Sequence, residues 1–262
     1  DVYFRNAAGE MVLLMVMALV FRGVAFEFRF KAHRSRRLWT LSFIGGSMLT
    51  AFAQGIILGA LVEGMALDNG RYVGGVFGWF SPFTILTGVA LVFGYALLGS
   101  TWLILKTDGR THELARQLTR PLVGVVVAFM VLVSAWLPFL SSHVMARWFE
   151  HGNFWWLSPI PVITAVVAML LWRAGNTSRN HASPFLLTLA IFVLGFIGLV
   201  LGMWPYLVPP SYTIWQAAAP PSSQIFPMVG LIVLLPLVLG YTAWSYRVFR
   251  GKIAADVGYH HH

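Results

Sequence analysis

Apolar residues occur in this chain as long unbroken runs separated by short polar connections. Seven runs stand out, at residues 11–26, 41–61, 83–105, 122–140, 157–172, 184–206 and 225–246. A helix crossing a hydrocarbon layer of roughly 30 Å needs about 20 such residues, which five of the runs supply or nearly supply; the first and fifth are short. The runs are continuously apolar, whereas a membrane β-strand alternates apolar and polar positions over about ten residues. The pattern predicts an all-α, polytopic transmembrane bundle of seven spans. The longest polar connections, 63–78 and 106–120, are too short to be domains, so residues 1–262 are expected to form a single transmembrane domain. No internal repeat of the kind that marks the two halves of a secondary transporter is visible.

Composition agrees with the pattern. Of 262 residues, 58% are hydrophobic and 10% charged, against roughly a quarter charged in soluble domains. The net charge of +9 would by itself suggest a nucleic-acid partner, but in a membrane protein what matters is where the basic residues fall, and here they alternate from connection to connection. Arg29, Lys31, Arg34, Arg36 and Arg37 follow the first span; Lys106, Arg110, Arg116 and Arg120 the third; Arg173 and Arg179 the fifth; Arg247, Arg250 and Lys252 the last. These segments hold 14 of the 18 basic residues. The positive-inside rule then places Asp1 outside and the C-terminus in the cytoplasm, with an odd number of crossings and no need for nucleic acid. The absence of cysteine excludes disulfides, thiolate-bound metals and iron–sulfur clusters. The chain begins at Asp1 without a recognisable signal peptide and is expected to be a fragment, and His260, His261 and His262 read as including a purification-tag remnant.

Several side chains are candidates for chemistry or recognition. Arg22 is an ionisable group inside a span and so a functional hypothesis by default. It lies seven residues, about 10 Å, from Arg29, so snorkelling or a structural ion pair accounts for it equally well. Glu27 is about 140° around the helix from Arg22 but has Lys31 at the favourable i+4 spacing. A carboxylate close to the cytoplasmic end of a span suits proton entry, and a surface pair with Lys31 suits it as well. Gln54 and Gln224 are polar groups in or beside spans; an interhelical hydrogen bond is the expected role, with water or a quinone oxygen as alternative partners. His143 is the one histidine placed to be considered as a haem ligand, but no second His or Met stands at a matching spacing. Trp148, Phe149, Phe154, Trp155 and Trp156 are expected to form an interfacial aromatic belt rather than a stacking site. Pro205, Pro209, Pro210, Pro220 and Pro221 predict a stiff, largely non-helical sixth connection that packs as an outer cap. Met11, Met15 and Met17 read as packing or lipid-facing residues. No phosphate-binding loop, zinc-protease motif or hydrolase elbow appears.

The stretch Arg22-Gly23-Val24-Ala25-Phe26-Glu27-Phe28-Arg29 resembles a motif of subunit II of cytochrome bd-type quinol oxidases. Further stretches agree in order: Gly46-Ser47, Ala51-Phe52-Ala53-Gln54-Gly55, Gly78-Trp79-Phe80-Ser81-Pro82-Phe83, Leu105-Lys106-Thr107-Asp108-Gly109, Pro205-Tyr206-Leu207-Val208-Pro209, Thr213-Ile214-Trp215 and Tyr241-Thr242-Ala243-Trp244-Ser245-Tyr246. The tail, Val248-Phe249-Arg250-Gly251-Lys252 with Gly258-Tyr259-His260, is similar to the cyanide-insensitive branch. The resemblance implies nine helices with the N-terminus outside, so the seven spans here correspond to the last seven. The two helices in front, with the family's Trp-Asp-Gly-Asn motif, are expected to be missing. Thr40 stands where some members have an aspartate.

The resemblance further implies a complex in the bacterial plasma (inner) membrane that oxidises quinol, reduces oxygen to water and takes protons from the cytoplasm. Haem b and haem d, with the quinol-oxidation site, would belong to the partner, subunit I; a quinone is a candidate ligand and a small accessory subunit a candidate partner. Glu27 then becomes a candidate for a proton route and Arg22 part of the same motif. The rival readings are a polytopic secondary transporter, which would have broken helices in paired halves, and a scaffold subunit with no chemistry of its own.

Overall fold

The computed structural model describes residues 4–32, 34–64, 67–68, 71–72, 78–140, 155, 158–177, 181–209, 212–249 and 251, of which 4–10, 67–68, 71–72 and 176–177 are described by their backbone alone. Among the described residues there are seven long helices: α1 (Phe4–Lys31), α2 (Arg36–Glu63), α3 (Pro82–Lys106), α4 (Gly109–Leu140), α5 (Pro159–Thr177), α6 (Ser183–Met203) and α8 (Pro221–Val248), with a single turn, α7 (Ile214–Ala217), before the last. Six are long and apolar enough to cross a membrane, and the fifth run forms the shorter apolar helix Pro159–Gly175. The expected all-α polytopic bundle is thus present, with the count of seven reached only by including that shorter helix. The helices outrun the apolar stretches because polar residues at their ends still carry helical backbone: α2 begins five residues before its apolar run, at Arg36.

Two short antiparallel strand pairs are found in the connections among the described residues. Strands β1 (Leu67–Asp68) and β2 (Arg71–Tyr72) pair Leu67 with Tyr72, and β3 (Tyr206–Val208) and β4 (Tyr212–Thr213) pair Tyr206 with Thr213. The second pair, with buried Val208 and Pro209, gives the proline-rich sixth connection the ordered, mainly non-helical structure its sequence predicts.

Helices α3, α4, α5 and α6 pack in a closed ring, and α2 and then α1 are layered on the flank of α3. The ring encloses a core of Leu97 from α3, Val123 and Val126 from α4, Ala168 and Leu171 from α5, and Ile191 from α6. Hydrophobicity alone does not hold helices together in lipid, so close approach and hydrogen bonds must. Both appear between α2 and α3. Gly55 and Gly59 face Thr84, Thr87 and Gly88 so closely that a Cβ on Gly55 would lie 2.5 Å from the Thr87 carbonyl oxygen. The Thr87 hydroxyl donates to the Gly55 carbonyl at 2.9 Å. Helix α3 starts on a reciprocal cap, Thr84 N–H to Ser81 Oγ at 3.1 Å and Ser81 N–H to Thr84 Oγ1 at 2.9 Å. This satisfies two of the donors a helix start leaves open.

Helix α8 stands apart. None of its residues is buried. It meets the bundle at its last turn, where Lys106 Nζ donates to the Phe249 carbonyl at 3.0 Å and Tyr246 sits edge-on to Trp102 at 5.9 Å. The basic segments gather at that same end. Arg116 Nε bonds the Gly175 carbonyl at 3.3 Å, the His112 and His181 rings meet at 5.1 Å, and Arg29 Nε bonds Thr40 Oγ1 at 3.1 Å. The alternation of charge along the sequence therefore becomes a single basic face of the bundle.

Candidate functional site

The residues singled out from the sequence do not converge on one pocket. Arg22 and Glu27 both lie exposed on α1. Met11, Ala18 and Ala25 are the buried positions of α1, and Gly46 of α2 admits the α1 backbone beside Ala18 and Arg22. The Arg22 guanidinium carbon lies 5.7 Å from the centre of the Phe43 ring, its recorded contact among the described residues. A cation over an aromatic face recovers roughly 0.5–1 kcal/mol when exposed, far less than the cost of a charge within a bilayer. Glu27 has no recorded ion pair or hydrogen bond with any described residue, Lys31 included. The i+4 spacing is thus not used as a salt bridge, and Arg22 and Glu27 remain on separate faces as the helical angle requires.

Gln54 makes the interhelical bond expected of it: the Tyr95 hydroxyl of α3 donates to Gln54 Oε1 at 2.9 Å. Tyr95 is exposed and stacks on Phe192 of α6, with centroids 6.3 Å apart. Gln224 behaves differently. It sits in the first turn of α8, and its Nε2 donates back to the Ala219 carbonyl at 2.5 Å. The helix begins four residues before the apolar run, which turns a residue read as intramembrane into one that closes its own helix start.

Sequence reasoning missed two further polar contacts. Glu63, the last residue of α2, accepts from Ser81 Oγ at 2.5 Å, tying the end of one helix to the cap of the next. Ser100 of α3 and Thr119 of α4, both buried, share a hydrogen bond at 3.1 Å inside the four-helix ring. Thr40 links the first two helices, accepting from Arg29 and donating to the Arg36 carbonyl at 2.9 Å. Among the described residues no group of three or more His, Asp or Glu side chains is placed to hold a metal ion. His143, the aromatic cluster apart from exposed Trp155, and the terminal histidines lie outside the described residues.

A span-rich bundle with an exposed arginine and glutamate on one helix matches a known family along almost its whole length. Residues 6–249 fit the family model described as cytochrome bd terminal oxidase subunit II. The chain belongs to that family. Among curated relatives, the probable cytochrome oxidase subunit 2 of Haemophilus influenzae is 24% identical over 94% of this chain and 74% of its own length. The cytochrome bd-I ubiquinol oxidase subunit 2 of Escherichia coli is 25% identical over the same shares. The cytochrome bd ubiquinol oxidase subunit 2 of Bacillus subtilis is 25% identical over 92% of this chain and 72% of its own. Among solved structures, bd oxidase from Geobacillus thermodenitrificans superposes with a TM-score of 0.62 at 14% identity, covering 94% of this chain and 80% of that one, which supports the fold. The chain is accordingly a multi-pass membrane subunit of a quinol oxidase, and catalysis belongs to the complex. The transporter and pure-scaffold readings are not favoured by membership of a subunit II family.

Proposed function

We propose that this chain packs the outward faces of α1 and α8 against the haem-bearing subunit I, with the basic end of the bundle in the cytoplasm of a bacterial cell and Asp1 outside. One observation carries this reading: Arg22 and Glu27 are both exposed on α1 within a span, Glu27 without an ion pair among the described residues and Arg22 at the edge of the α2 seam with only the Phe43 ring beneath its charge. Hydrocarbon solvates neither group, so a protein surface able to meet an ionised arginine and a carboxylate is the natural cover. Helix α8, bare along its length, offers a second apolar surface for the same docking. Haem b and haem d would reside in subunit I, quinol would be the substrate of the complex, and a small accessory subunit has room on the remaining lipid-facing helices. Glu27 then lies at a subunit seam near the basic end, where a carboxylate is suited to admitting protons for oxygen reduction.

Two substitutions in the assembled complex test the roles separately. Glu27→Gln is expected to slow oxygen consumption with quinol while leaving the reduced-minus-oxidised haem spectrum unchanged; unchanged turnover sinks the proton role. Arg22→Leu is expected to reduce recovery of haem-bearing partner with this chain, and normal haem content in the purified variant contradicts the docking role.

A further inference from the structure

Where α4 meets the end of α5, the basic face contains an arrangement that neither subunit docking nor proton transfer uses. Helix α5 ends with unpaired carbonyls, as every helix does. Arg116 and Arg120, one turn apart on α4, reach its last turns with their Nε groups: Arg116 to the open Gly175 carbonyl at 3.3 Å, Arg120 to the Trp172 carbonyl a turn earlier at 3.5 Å. Cations at a helix C-terminus also oppose its dipole, so both side chains are fixed in place. Fixing Arg120 through Nε leaves the four N–H donors of its Nη1 and Nη2 without a recorded hydrogen bond among the described residues.

Trp172 completes the arrangement. The Arg120 guanidinium lies over its ring at 5.9 Å. Gly124 admits the ring against α4, since a Cβ there would meet Trp172 Cζ3 at 3.1 Å. The indole is still 43% exposed, and tryptophans in that situation mark the headgroup level of a bilayer. Met169, Trp172 and Arg173 share one face of α5 by their i, i+3 and i+4 spacing, with Met169 towards the middle of the span. Met169 on α5 and Leu118 on α4 are well exposed. Fixed guanidinium donors at headgroup level thus stand beside apolar surface. The nearest carboxylate on α4 is Glu113, a turn further from the span and hydrogen-bonded by Gln117 at 3.4 Å.

We infer that Arg116, Arg120 and Arg173 form a binding site for the phosphate of an anionic phospholipid, with Trp172 at the glycerol level and an acyl chain along Met169 and Leu118. The guanidinium fork suits a phosphate diester, and the apolar flank selects a lipid over a soluble anion. The inference rests on the helices crossing a membrane and not on which face is cytoplasmic.

The test uses the complete detergent-solubilised complex, delipidated and titrated with phosphatidylglycerol or phosphatidylcholine, with bound lipid counted by native mass spectrometry. One saturable phosphatidylglycerol is expected, retained about tenfold less tightly in Arg120→Gln and in Arg173→Gln, as removal of one charge-assisted phosphate contact implies. Arg173 bonds no α5 carbonyl in the structure, so Arg173→Gln keeps the site testable if Arg120→Gln disturbs the end of α5. Equal retention of phosphatidylcholine, undiminished phosphatidylglycerol in both variants, or displacement of the lipid by millimolar inorganic phosphate would each overturn the assignment.

Discussion

Replacing Gly55 by alanine probes the contact on which α2 and α3 depend. A Cβ at Gly55 would lie 2.5 Å from the Thr87 carbonyl oxygen and 2.6 Å from Gly88 Cα, so it meets backbone and not a movable side chain. Restoring ordinary contact near 3.5 Å requires the helices to part by about 1 Å. That separation also stretches the 2.9 Å bond from Thr87 Oγ1 to the Gly55 carbonyl. Overpacking of this kind costs about 1–3 kcal/mol and an interhelical hydrogen bond in a membrane protein about 0.6, so a loss of about 2–4 kcal/mol is expected. Gly99→Ala is the matched control, because its Cβ would have nothing within 4 Å and gains up to about 1 kcal/mol of helix propensity. Unfolding in a mixed-micelle denaturant titration, followed by tryptophan fluorescence, reports both variants on the same scale. If Gly55→Ala is as stable as Gly99→Ala, close backbone approach is not what joins these helices.

The buried Ser100–Thr119 pair is expected to show coupling: each hydroxyl also donates to a carbonyl of its own helix, Leu97 and Ala115, so Ser100→Ala or Thr119→Val alone costs about 0.5–1.5 kcal/mol for the lost interhelical bond, and the double variant costs less than the sum. Additive losses in the same unfolding titration would mean that the two hydroxyls act independently. Thr40→Asp places a carboxylate beside Arg29 and is expected to raise stability by up to about 1 kcal/mol at low salt, with the gain disappearing in high salt. A gain insensitive to salt would point to a helix-start effect instead.

The sequence was most informative where one physical variable dominated. Long apolar runs mark helices because lipid leaves the backbone no other way to satisfy its hydrogen bonds, and the alternating basic connections mark one end of the bundle. Helix ends were less legible: Gln224 seemed to lie at the edge of a span because an apolar count begins at Ile225, whereas the helix begins at Pro221. Pairings across helices were not legible at all. Tyr95 lies 41 residues from Gln54, and Glu63 looked like a connection acid until Ser81 was brought to it. Arg116 and Arg120 registered only as contributors to loop charge, since nothing in a single sequence says that the end of α5 folds back beneath them. The motif containing Arg22 and Glu27 pointed to the family, while their exposure required coordinates.

The hydroxyls inside the four-helix ring have a consequence for ion movement. Ser100, Thr101, Thr119 and Thr188 are spent on one another or on carbonyls of their own helices, and beyond them Leu97, Val123 and Leu171 close the core. Among the described residues these hydroxyls therefore leave no free donor or acceptor row through the ring, and electrically that stretch behaves as a dielectric plug. A membrane held at 100 mV drives each elementary charge with about 2.3 kcal/mol, and any leak through the ring would discharge what respiration stores. Among the described residues, the middle of this four-helix ring offers a charge no polar path.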